Sequence, residues 1–245
     1  MRAFHYKLLV CAQPSFRSIR DTLPQLAYEA GMQRGFLLDK DSNQNRVAGR
    51  YVYTRVGKVV VLDPKTLQPK ETPTESLAES KFELDQQKAL VMCQARRGEL
   101  NALQEALDAM PDVHVEFEEL NLNLLALLFD VQRAYKKNVV KSLRLKDYLA
   151  RENMLANATF KLIEPTEAEK LAEKFSDQLQ AFTLTLKLPD GACALTVTKN
   201  GSVRASDDAP EDLLRFVKDL LPAHHEAEVE TTEVRDPVAA RRTRK

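Results

Sequence analysis

KFELDQQKALVMCQARRGELNALQEALDAMPDVHVEFEEL, residues 81–120, changes its hydrophobic period twice and thereby sets the fold class. Residues 81–85 and 89–93 carry the apolar, β-favouring side chains of a hairpin. The turn between them, at Gln86-Gln87, lacks the Asn-Gly chemistry that would fix its register. From Gly98 the spacing becomes helical: Leu100, Leu103, Leu107 and Met110 share one face, and Pro111 stops the run. Val113, Val115 and Phe117 then alternate with His114, Glu116 and Glu118, the pattern of a strand with one buried and one wet face. Hairpin, helix and return strand together read as a half-open sandwich of helix on sheet.

Outward from this unit the expected class is α+β, with antiparallel or mixed sheets covered by helices. A strand at 4–12 leads into a helix bearing Ile19, Leu23, Leu26, Ala27 and Ala30, which Pro24 kinks or restarts. Strands are expected at 35–38, 47–54 and 58–62, the last two joined at Val56-Gly57. Pro64, Pro69 and Pro73 among Thr, Ser, Lys and Glu mark 64–80 as a linker or crossover. Residues 122–131 are almost wholly apolar and read as a buried helix; 139–145 and 159–163 read as strands. The last third predicts a helix, three-strand meander and helix. Thr166 and Glu169 form a capping box, Pro189-Asp190-Gly191 and Asn200-Gly201 turn the meander, and a helix over 210–221 covers it. The implied organisation is an N-terminal domain (1–63), the linker (64–80), a central and C-terminal region (81–222) and a disordered tail (223–245).

Lys plus Arg and Asp plus Glu are both 36, so no global field recruits a partner, and electrostatic recognition must come from local segregation. Cys11, Cys93 and Cys193 lie in apolar strand-like runs without metal spacing, as in a reduced, cytoplasmic protein. The absence of a membrane-length apolar run and of a leader-like N-terminus leads to the expectation of no membrane partner.

No catalytic constellation is legible, and no cofactor or metal is expected. Asp63, with Glu79-Ser80-Lys81 sixteen residues on, mimics the acid and Glu-x-Lys spacing of metal-dependent nucleases, but Ser76-Leu77-Ala78 is not the apolar lead that motif needs. Asp39, Asp41 and Asn43 begin like a calcium loop, yet Gln44 stands where glycine is required and Arg50 where the closing carboxylate belongs. His224-His225 reads as a solvated pair. His5 and His114 are isolated, and Glu116, Glu118 and Glu119 read as a solvated strand end.

One segment points to a partner. Arg133, Lys136, Lys137, Lys141, Arg144, Lys146 and Arg151 face a single acid, Asp147, with Tyr135 and Tyr148 interleaved. Such local excess neutralises phosphates and releases counterions, giving salt-sensitive, sequence-independent binding. The plain alternative is a solvated face balancing acids elsewhere. The terminal Arg241-Arg242-Thr243-Arg244-Lys245 is either a flexible basic arm or simply a tail behind the acidic stretch 226–233.

The element order over 81–206, with Val139-Val140-Lys141-Ser142-Leu143-Arg144-Leu145-Lys146-Asp147-Tyr148 and the meander 182–205, resembles the later part of the bacterial recombination-associated RdgC proteins. That resemblance implies a ring-shaped dimer encircling duplex DNA without sequence preference. Ala194-Leu195-Thr196-Val197-Thr198 and Asn200-Gly201-Ser202-Val203 also resemble the strand-turn-strand of TATA-binding-protein-like folds. The expectation is a non-catalytic, nucleoid-associated DNA-binding protein acting in recombination or DNA-related defence, as a homo-oligomer or with a partner protein. The alternative is a protein-interaction subunit that uses the 122–131 helix as its interface; a metal-dependent nuclease ranks third.

Overall fold

Strand β1 (Arg2–Cys11) is the seam of the molecule. In a computed structural model, residues 1–226 are described except 65, 95–96, 152–153, 163–164 and 190, as are all side chains within them except those of Arg97, Gly98, Arg151, Pro165 and Thr166. After β1 come α1 (Gln13–Thr22), β2 (Arg34–Leu38), β3 (Arg46–Leu62), β4 (Pro69–Asp85), β5 (Leu90–Gln94), α2 (Arg97–Asp108) and β6 (Val115–Glu119). The second half holds α3 (Leu124–Ala134), β7 (Asn138–Arg151), β8 (Met154–Lys161), α4 (Pro165–Lys174), β9 (Leu179–Leu188), β10 (Gly191–Thr198), β11 (Ser202–Ala205) and α5 (Glu211–Leu220). The fold mixes helix and strand, and an open antiparallel sheet dominates it.

The strand order is β2-β3-β4-β5-β1-β11-β10-β9-β7-β8, with β6 added against β1. On β1, His5 pairs with both Ser202 and Cys93, and Lys7 with both Glu119 and Val91. β11 and β6 therefore succeed one another along one edge of β1, while β5 holds the other. The alternation of side chains makes this strand serve two cores. Phe4 and Tyr6 enter one built from α3, α4, α5 and the strands of the second half. Leu9 enters another with Phe16 and Ile19 of α1 and Leu100, Leu103 and Leu107 of α2. The helices of the two halves thus lie on opposite faces of one sheet.

Several local expectations change. β3 runs unbroken through Val56-Gly57, where a turn was expected, and pairs with β4 from Arg46↔Asp85 to Leu62↔Pro69. Most of the expected linker, 69–80, is therefore strand: the long partner supplies the hydrogen bonds that its proline-bearing sequence does not advertise. The first helix ends at Thr22, and Pro24 sits in a 3-10 turn over Leu23–Leu26, since a proline imide cannot donate within an α-helix. Leu122, Leu124, Leu127, Leu128 and Val131 are all in the core, which removes the surface helix that the protein-interaction alternative relied on. The capping role of Thr166, the turn residue Asp190 and the tail 227–245 lie outside the described residues.

The meander is pinned to the seam by Gly201. Its carbonyl accepts from the Tyr6 N–H at 3.0 Å, its φ is +76°, and a Cβ built there would lie 2.6 Å from the Tyr6 carbonyl oxygen. Gly201→Ala should cost about 1–3 kcal/mol of stability through strain at this backbone contact, read as a lower urea midpoint with unchanged m-value.

Candidate nucleic-acid interface

Helices cover the second half of the sheet on one face only. Val140, Leu143, Leu145, Phe182, Leu184, Leu186, Leu195, Val197 and Val203 all point into the core beneath them. The pleat sends the residues between to the other face. There Ser142 and Arg144 of β7, Thr159 of β8, Thr183 of β9, Thr196 and Thr198 of β10, Ser202 and Arg204 of β11, and His5 and Lys7 of β1 line one open trough of about 610 Å³. Leu100 of α2 and Glu119 at the end of β6 close it on one side. The same alternation places Lys161, between Phe160 and Leu162, and Lys187, between Leu186 and Leu188, on this face, since the flanking apolar residues pack into the core.

The electrostatics of the face are one-sided. Strands β1 and β7 to β11 contain a single acid, Asp147, which occupies an irregularity of β7 with φ of +53°. Lys7 is held at the edge by Glu119, at 3.2 Å. Arg144, Lys161, Lys187 and Arg204 have no ion-pair partner among the described residues. Hydroxyls fill the space between the bases. Thr183 Oγ1 and Thr196 Oγ1 are 3.0 Å apart across the β9/β10 ladder, and the Ser202 N–H donates to Thr198 Oγ1 at 3.0 Å. Such hydroxyls keep a hydrogen-bonding valence for a phosphate oxygen.

The aromatic side chains of these strands face the other way. Phe4, Tyr6 and Phe182 are in the core, and Tyr148 packs edge-on against Phe160 and Phe175. Among the described residues the open face therefore offers only the His5 ring, not the row of aromatics on which single-stranded bases stack. Its chemistry, cationic and hydroxyl-bearing, fits a sugar-phosphate backbone.

The basic run read from the sequence is divided. Arg144 lies on the open face. Arg133 is on α3, on the helical side, and pairs with Asp130 at 3.1 Å. Lys136 and Lys137 occupy the exposed α3–β7 corner, where the Lys137 carbonyl accepts from the Lys187 N–H at 2.8 Å. Lys141 sits at the register shift between Val140 and Ser142, and Lys146 is 3.9 Å from Asp147. Arg151 closes β7 opposite Met154; its side chain lies outside the described residues. Lys7, Lys161, Lys187 and Arg204 escaped the sequence reading because each is a lone base on a different strand. The available signal was the near-absence of acids from the predicted strands of the meander.

The other candidates resolve locally. Asp63 follows the outer end of β3, whereas Glu79 pairs with Val52 near its base, so the nuclease-like acids are roughly 35 Å apart at ~3.3 Å a residue. Asn43 Oδ1 accepts from the N–H groups of Asn45 and Arg46 at 3.0 and 3.1 Å, making the calcium-like segment an Asx turn. The histidine pair is anchored rather than solvated: His224 Nε2 lies 3.0 Å from Asp130, and His225 Nδ1 accepts from the Asn121 N–H. Among the described residues, His, Cys, Asp and Glu nowhere gather in a group fit to hold a metal ion. No helix among the described residues is long and apolar enough to cross a membrane. No protein-family model and no curated protein matches the chain.

Proposed function

We propose that the protein is a non-catalytic, largely sequence-independent DNA-binding protein that lays the backbone of a duplex against the open face of its second half-sheet. One observation carries this reading: Arg144, Lys161, Lys187 and Arg204 come from separate strands to one face whose trough is lined, among the described residues, by a single acid, Glu119, already held by Lys7. The convergence supplies what a neutral chain otherwise lacks, a local field of one sign. Hydroxyls between the bases favour phosphate oxygens, and the scarcity of stacking aromatics, with His5 the one ring lining the trough among the described residues, favours duplex over single strand. A role in recombination or DNA-related defence belongs to the same proposal and rests on the resemblance of the later chain to RdgC proteins.

The test is fluorescence anisotropy of a labelled duplex across a salt series. Four unpaired bases predict a log–log salt slope of about −3 to −4 and comparable affinity for unrelated sequences. Because Arg133, Lys136 and Lys137 lie on α3 and its corner, replacing all three by glutamine should weaken binding by less than about fivefold. A larger loss there than from changes on the open face would move the interface to the helical side.

A further inference from the structure

Past Thr54 and Ser80 the β3–β4 hairpin leaves the rest of the sheet. β2 pairs with β3 only up to Tyr53, and β5 with β4 only from Lys81 onward. The two strands continue alone for roughly 24 Å at ~3.4 Å a residue. A two-stranded ribbon by itself is marginal in water.

Cross-strand pairs share a face, and here one face gathers most of the large apolar side chains. Thr54↔Leu77, Val56↔Glu75, Lys58↔Pro73, Val60↔Glu71 and Leu62↔Pro69 all point to the same side. On it Leu77, Val56, Val60 and Leu62 are 63%, 69%, 63% and 62% exposed. The opposite face mixes Val59 and Val61 with Thr72, Thr74, Arg55 and Lys70. A one-sided stripe of this kind on an unsupported ribbon marks an interaction surface.

We propose that this stripe is the contact between two copies of the chain, packed face to face with β3 of each arm over β4 of the other. The charges on the face choose a second copy as occupant, because they are self-complementary. Within the stripe β3 carries only Lys58, and β4 carries only Glu71 and Glu75. Lys58 pairs with Glu71 of its own arm at 2.7 Å, whereas Glu75 has no partner among the described residues. Turning one arm by a two-fold axis along its length brings a basic strand over an acidic one and sets Lys58 over Pro73 of the other copy, within a side chain's reach of Glu75 one pair along, which has no partner among the described residues of its own arm. Strand addition at the β4 edge is not the contact. Lys58↔Pro73 and Leu62↔Pro69 are among the pairs whose backbone groups point away from the ladder, in step with Thr54, whose N–H donates to Gln33, so the two prolines each remove a donor and blunt that edge. This inference stands independently of DNA binding.

Sedimentation velocity on the full chain over a concentration series should give a reversible dimer. Val56→Thr with Val60→Thr should raise its dissociation constant at least tenfold (about 1.4 kcal/mol) without lowering the thermal midpoint. Val61→Thr, on the other face, should leave it unchanged. Lys58→Glu and Glu75→Lys should each weaken self-association, and mixing the two proteins should restore a dimer of one copy of each. A native chain that sediments as a monomer throughout overturns the proposal. So does a dimer indifferent to the Val56/Val60 changes, or a mixture that fails to recover.

Discussion

Replacing Arg144, Lys187 and Arg204 together by glutamate should lower duplex affinity more than about a hundredfold at low salt and flatten the salt dependence. These bases lie on β7, β9 and β11 and share the open face. Each phosphate that is no longer neutralised takes about one unit off the salt slope, and each reversed charge adds repulsion from the same polyanion. The variant should fold normally, since Arg144, Lys187 and Arg204 are exposed and have no ion-pair partner among the described residues whose loss would strand a buried acid. Lys7 is left out because Glu119 already holds it. A gel-shift titration in which the triple variant binds like the native protein would remove the open face from consideration, and with it the proposed function.

Lys218→Met is expected to be the most destabilising single exchange of a charged residue. Lys218 Nζ on α5 lies 2.5 Å from Glu83 Oε1 and 3.4 Å from Asp85 Oδ2 on β4, and Arg46 Nε approaches Glu83 at 2.6 Å. The side chains of Lys218, Glu83 and Asp85 are only 12%, 9% and 10% exposed. This cluster ties the last helix of the second half to a central strand of the first. Removing the ammonium leaves Glu83 with Arg46 alone and Asp85 with only the more exposed Lys88, 4.0 Å away, a loss of about 3 kcal/mol. Adding Glu83→Gln should recover part of it, and a double-mutant cycle without coupling would show that the cluster is not a unit.

The same cluster sets an acid limit. Burial pushes the Glu83 carboxyl upward, but hydrogen bonds from Arg46 and Lys218 and their positive charge outweigh it, so the group titrates below the usual carboxylate range. A carboxyl depressed in the folded state contributes stability that is complete above its unfolded value, about 4.3, and is lost as pH falls through the folded one. Urea midpoints of the native protein should therefore hold down to that value and fall below it. In Lys218→Met, which lacks one of the two donors, the folded value lies closer to the unfolded one, so the fall below that pH should be shallower.

The elements that the sequence announces are those with an unambiguous period. Leu100, Leu103 and Leu107 do line the buried face of α2, and Val115 and Phe117 do face the core from β6. Pro24 does interrupt the first helix, and Asn200-Gly201 does turn β10 into β11. The outer half of β4 was illegible because its strand character comes from the partner: Thr, Glu and Pro hold an extended chain there only because β3 runs alongside. The basic run shows the opposite error. Arg133 and Arg144 are close along the chain, yet the passage from α3 into β7 sends them to opposite sides of the sheet.

Local periodicity and turn chemistry are properties of neighbouring residues, so the chain's own order was enough to announce its helices and the cores of most strands, but not the ends of the long strands β3, β4, β7 and β8. Which face those helices cover, and hence which lone bases share the remaining one, depends on the register between strands far apart in sequence. β1 decides it, feeding alternate side chains into two cores on opposite sides. A one-residue slip in any of those pairings would carry Arg144 or Arg204 into the core, and nothing local to either arginine records that it does not happen.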